Sequence, residues 1–249
     1  MTRQIRSEVL KLRTTRTTLG LVLGLLWLVV FFVVVQLIAS EVDKANDFRL
    51  ATEETQRSIL QSAGLATLFA LLIGILAITS EFRHGTIRPT LLFSPARELV
   101  IGAKGIACAV AGGVLGVAAV LITFVIALVW MQVQDVERAI GNGDLLAMAA
   151  GIAGATLLWG VIGVGVGAVI RNQVGAIVGT VVWSLLPGPL IQSLYPKVGH
   201  FLPSAASDAL SGSSDSNLLS PLAGGVVLVG WALLFVVAGA LLTASRDVP

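Results

Sequence analysis

Charge is what this sequence lacks most. Charged residues make up 12% of its 249 positions, about half the ~25% usual in a soluble globular chain. Hydrophobic residues reach 56% and the mean hydropathy is +0.93. Long uncharged runs of this kind exclude an ordinary soluble domain and point to a membrane protein. There is one cysteine, Cys108, inside an apolar run, so neither an intrachain disulfide nor a thiolate metal cluster can form. The two histidines, His84 and His200, fall in separate loops that the topology below puts on opposite sides, which leaves no histidine pair for a metal. No Gly-x-x-x-x-Gly-Lys-Ser/Thr phosphate loop occurs. Gly102-Ala103-Lys104-Gly105 is too short for one, and Gly163-Val164-Gly165-Val166-Gly167 sits in an apolar run with no strand before it. With no catalytic-serine motif and no nucleophile–base cluster, the chain does not read as an enzyme. No nucleic-acid partner and no cofactor of its own are expected.

What is present divides into six apolar runs, at about 19–39, 59–79, 105–131, 145–170, 174–195 and 222–243. Some 20 residues at 1.5 Å each cross a ~30 Å hydrocarbon layer. The expected fold is therefore an all-α membrane protein with six transmembrane helices, forming one domain over residues 1–249. None of the six runs, so bounded, contains Asp, Glu, Lys, Arg or His. That absence argues against proton-coupled antiport, which places ionisable groups at membrane depth. It leaves open ion coupling through backbone carbonyls at a broken helix.

Residues 1–16 carry Arg3, Arg6, Lys11, Arg13 and Arg16 against one acid, Glu8. Ile5, Val9 and Leu12 recur at helical spacing, which predicts an amphipathic helix lying at the membrane interface; a positively charged flank that merely orients the first span is the plainer alternative. With both termini on one side, that side collects these bases together with Arg83, Arg88, Arg97, Lys104, Arg171 and Arg246. The other side holds only Lys44, Arg49, Arg57, Arg138 and Lys197. The positive-inside bias then puts both termini in the cytoplasm. Gly20 and Gly24, like Gly163 and Gly167, are four apart and predict close helix packing. Pro187-Gly188-Pro189 marks a break in the fifth run, ahead of a polar, Ser-rich stretch.

Between the second and third runs lies a compact basic loop, Glu81-Phe82-Arg83-His84-Gly85-Thr86-Ile87-Arg88-Pro89, continuing to Ser94-Pro95-Ala96-Arg97. Gly85 allows a sharp reversal. Arg88-Pro89 favours an extended residue followed by a fixed φ, and Ser94-Pro95 is a helix-start signal. Such a surface suits docking of a partner; a merely solvated basic loop is the plainer alternative.

This loop, with Ser7-Glu8-Val9-Leu10-Lys11-Leu12-Arg13 ahead of the first run, resembles the permease subunits of ABC-2-type exporters of high-GC Gram-positive bacteria. The resemblance implies that the N-terminal helix and the loop between spans two and three contact a separate ATPase, which binds ATP and Mg. Glu81, Arg83, His84, Gly85, Thr86, Arg88 and Pro89 fall on the coupling motif. It further implies a second permease copy in a homodimer, two ATPase subunits, and short or re-entrant external helices between spans five and six. The location implied is the bacterial plasma membrane. The expected role is export of a lipophilic or amphipathic cargo such as a drug, antibiotic or lipid, with Phe69 and Trp183 as candidate cargo-path residues. Two other readings are a non-transporting anchor or resistance subunit and an ion-driven secondary transporter.

Overall fold

The computed structural model describes residues 2–42, 50–85, 97–213 and 218–245. Among them the secondary structure is entirely helical. Helix α1 spans Thr2–Thr14 and α2 Arg16–Val42. Helix α3, Glu53–Gln61, runs through a 3-10 turn at Ser62–Leu65 into α4, Ala66–Arg83. Then come α5, Arg97–Val133, and α6, Asn142–Ile170. Helix α7, Gln173–Leu185, is followed by the short α8 Pro187–Leu194, α9 Pro196–Gly199 and α10 Pro203–Leu210, and α11 is Pro221–Ser245. Six helical stretches are long and apolar enough to cross a membrane, which makes this a multi-pass membrane fold.

Two boundaries differ from the sequence expectation. The second span is part of a helical stretch that starts at Glu53, inside what reads as a charged loop. Thr52 caps it, its hydroxyl accepting from the Thr55 amide, and Glu53 and Glu54 in the first turn suit the positive end of the helix dipole. The third helix starts at Arg97, not near Gly105, so Lys104 lies inside it. The fifth apolar run is broken where the prolines predict: α7 stops at Leu185 and Pro187 opens α8.

Glycine sets the spacing at the centre. Helix α6 packs against α4, α5 and α11 with backbone nearly touching backbone. A Cβ added at Gly163 would collide with the Leu71 carbonyl oxygen, and one at Gly74 with that of Gly160. Gly160 itself faces the Cys108 carbonyl of α5, and Gly167 faces Ile75 and Ile78 of α4. Without water to drive helices together, such close approach supplies the packing energy. The first glycine pair behaves differently. A Cβ added at Gly24 would only rest 3.6 Å from the Phe69 ring, and one at Gly20 would meet nothing within 4 Å. Helix α2 instead buries the stripe Leu25, Val29, Val33 and Leu37, while Trp27, Phe31, Val35 and Ile38 stay exposed, as on a lipid-facing helix.

The end away from α1 is tied by Gln56, which is 1% exposed. Its amide nitrogen donates to the carbonyls of Leu50 and Glu137 at 3.0 and 3.2 Å, and its amide oxygen accepts from the Ala139 N–H at 2.9 Å. The short helices fold back on the bundle at the same end. Trp231 Nε1 of α11 donates to the Phe201 carbonyl at 2.7 Å, and Gly151 of α6 admits the backbone of Leu210.

Gly163→Ala should therefore overpack the α4–α6 seam by ~1–3 kcal/mol and lower the thermal midpoint by roughly 2–12 °C. Gly20→Ala should stay within about 2 °C of the parent. Thermal unfolding of the two variants in detergent checks this; equal shifts would contradict the packing assignment.

Candidate functional site: a buried charge cluster under the N-terminal helix

At the end of the bundle that carries α1, four charged side chains from three helices meet. Lys104 of α5 has a side chain only 1% exposed. Its Nζ donates to Glu8 Oε2 of α1 at 2.6 Å and to Glu81 Oε1 of α4 at 2.7 Å. Lys11, one turn on from Glu8, donates to Glu8 Oε1 at 2.7 Å and to Glu81 Oε1 at 3.0 Å. Each carboxylate thus bridges both ammoniums, and the cluster sums to zero charge.

The local structure explains how the chain reaches this arrangement. On α1 the inward face is Ile5, Glu8, Val9 and Leu12, at spacings of three and four. The three apolar residues are half-buried, and Glu8 in their midst is buried. Leu12 packs on the cores that contain Leu25 and Ile78. Glu81 falls in the last turn of α4, where a carboxylate is opposed by the helix dipole; the two lysines offset this. Lys104 follows Val100, Ile101 and Ala103 and precedes Ala107, all buried.

Burial by itself raises the Glu8 pKa. The charge of Lys104 and its hydrogen bond, with those of Lys11, outweigh that and hold the carboxyl below its ordinary value. Burial pushes Lys11 down, but its bonds to Glu8 and Glu81 carry it above its ordinary value. In lipid or protein interior, an ion pair roughly offsets its own desolvation, whereas removing one partner strands the other at a cost of ~3–5 kcal/mol. The cluster therefore specifies where α1 must sit more than it adds net stability.

The loop residues singled out in the sequence separate into three groups. Glu81 is 8% exposed and is engaged inside the chain, so it is not a free surface group. Arg83, His84 and Gly85 are exposed beside it. Arg83 Nη1 reaches Gln173 Oε1 at 3.4 Å, His84 Nδ1 lies 2.8 Å from the Ser80 carbonyl, and Gly85 takes φ +68°, a left-handed turn that glycine permits. Thr86, Arg88 and Pro89 lie outside the described residues. The cluster also corrects the count of charges within the helices. Lys104 reads as a loop base in the sequence, yet it is the largest fully buried side chain among the described residues.

Sequence reasoning missed the role of Glu8 and Lys104. The available signals were a single acid in an otherwise basic segment, at the centre of an apolar face, and a lone lysine within an apolar run. Arg171, in the two-residue connection between α6 and α7, also ties helices together: its side chain donates to the Leu242 carbonyl at 2.9 Å and lies over the Phe82 ring at 5.1 Å, joining α6, α11 and α4.

The two aromatic cargo-path candidates have different surroundings. Phe69 is buried in the core shared with α2. Trp183 is exposed at the mouth of an apolar cavity of about 430 Å³, with Trp159, Trp231 and Phe235 around it. That volume is within the range of small-molecule sites. No protein-family model matches the sequence, and no curated protein matches it either.

The cluster has a pH consequence. A depressed Glu8 pKa means stabilisation that is present above the ordinary glutamate value of ~4.3 and is lost as pH falls through the lowered value. The raised Lys11 pKa means stabilisation that persists through neutral pH and is lost only as strongly alkaline pH passes the raised value. A spin label at Leu10→Cys, on the exposed face of α1, should be immobile at neutral pH and mobilise in acid below the glutamate range. Glu8→Gln should mobilise it already at neutral pH. Mobility that is flat with pH and unchanged in Glu8→Gln would contradict the assignment.

Proposed function

We propose that the chain is the membrane-embedded permease subunit of an ATP-driven ABC-2-type exporter. In this reading two copies form the cargo path in a bacterial plasma membrane, with both termini cytoplasmic. Two separate ATPase subunits bind ATP and Mg and engage α1 together with the loop that follows α4. The observation that carries the reading is the charge cluster. It fixes an N-terminal interfacial helix to the two helix ends that flank the loop, so force applied to α1 or to the loop reaches α4 and α5 together. Export through an apolar bundle suits a lipophilic or amphipathic cargo. The cavity beside Trp183 offers such a molecule an aromatic wall. The short helices α8, α9 and α10 would then form the external cap between the last two spans.

Ion-driven transport is the second reading, and one observation favours it: Glu81 and Lys104 are ionisable groups within the two helical stretches, in contrast to the uncharged spans expected from sequence. The energy source separates the two. The first reading expects a Walker-type ATPase to co-purify at mild salt, with ATP hydrolysis in the complex stimulated by cargo. His84→Ala and Arg88→Ala, both in the sequence of the loop, should weaken that stimulation severalfold. Transport that proceeds with no ATPase and stops when the ion gradient is collapsed would overturn the first reading.

A further inference from the structure

Beside the charge cluster, between α1, the start of α2 and the end of α4, lies an open crevice of about 470 Å³. Its depth is apolar, lined by Leu21, Ile73 and Leu76. Its mouth is polar, with the hydroxyl residues Thr15, Thr18 and Ser80 and the cations Lys11 and Arg83. Glu81 also lines it, and the second oxygen of this buried carboxylate, Oε2, has no hydrogen-bond partner among the described residues. A buried carboxylate oxygen without a donor is costly.

We propose that this crevice is a binding site for an anionic glycerophospholipid whose headgroup bears hydroxyl donors, of the phosphatidylglycerol type. One acyl chain lies along Leu21, Ile73 and Leu76. The phosphate sits at the mouth against Arg83 and Lys11. A headgroup hydroxyl donates to Glu81 Oε2 once the carboxylate turns toward the crevice, since this oxygen is itself buried in the fold.

Charge decides between headgroups. Glu8, Lys11, Glu81 and Lys104 already balance, and Arg83 adds one exposed positive charge whose partner among the described residues is the neutral Gln173 at 3.4 Å. A phosphate with no further charge neutralises it. An ethanolamine headgroup would instead put a third ammonium against two carboxylates that already have two. A choline headgroup has no donor for Glu81. Basic pockets between helices at the headgroup level are the usual form of lipid-specific recognition. The inference stands apart from the transport reading, since it requires neither a cargo nor an ATPase.

The test is lipid retention by the purified full chain, measured by native mass spectrometry after exposure to phosphatidylglycerol, phosphatidylethanolamine or phosphatidylcholine of matched chains. The expected result is preferential retention of phosphatidylglycerol, by about fivefold over phosphatidylcholine. Arg83→Gln, at an exposed position, should remove the preference, Arg83→Lys should keep most of it, and Arg138→Gln at the opposite end should leave it unchanged. Equal retention of the three lipids would overturn the proposal. So would a preference for phosphatidylethanolamine, or one that survives Arg83→Gln.

Discussion

Lys104 holds this end of the molecule together, because a fully buried ammonium must have carboxylates and the chain supplies them from two distant places. Glu8 comes from 96 residues upstream and Glu81 from 23. Neither carboxylate can be withdrawn without stranding the lysine, and Lys11 closes the arrangement by touching both acids. A short helix that would otherwise only float at an interface is thereby held in one place and one rotation. Apolar contact through Leu12, Val9 and Ile5 keeps it on the bundle, but apolar contact alone would tolerate sliding. Ion pairs with hydrogen-bond geometry do not.

The rest of the bundle meets a different constraint. Along α6, glycine allows α4, α5 and α11 to approach to backbone contact, and the helices are tied by shape and not by charge. At the far end Gln56 does with one neutral amide what the charge cluster does with four ions: it joins α3 to the backbone at Leu50, Glu137 and Ala139. The molecule thus has a rigid centre and two polar clasps. Between the clasps, α2 and α7 keep large apolar faces exposed, including Trp27, Phe31, Val178 and Val182. Such faces suit lipid.

Much of the architecture was legible in the sequence because hydropathy reports span number directly. The six apolar runs correspond to six long helical stretches, and the amphipathic start, the glycines at 163 and 167 and the break at Pro187 each have a local cause that sequence displays. The helix ends were less legible. The stretch from Glu53 and the start at Arg97 put charged residues inside helices, because a membrane helix can extend beyond the hydrocarbon layer and a hydropathy run cannot show it. The charge cluster was hidden for a related reason. Glu8, Lys104 and Glu81 each look like a solvated charge at the edge of an apolar run, and only tertiary packing turns them inward together. Gln56 was invisible likewise, since its partners are backbone atoms about 80 residues away.

Amide hydrogen exchange over residues 2–14, in the parent chain, in Lys104→Met and in Lys104→Met combined with Glu8→Gln and Glu81→Gln, tests the central role of the cluster most directly. Removing the lysine alone leaves two buried carboxylates with one exposed counter-ion, so α1 should lose protection by about a hundredfold or more, the factor that ~3 kcal/mol implies. Neutralising the two acids as well removes the stranded charge, and a large part of the protection should return. Protection of α1 that is unchanged in Lys104→Met would contradict the account.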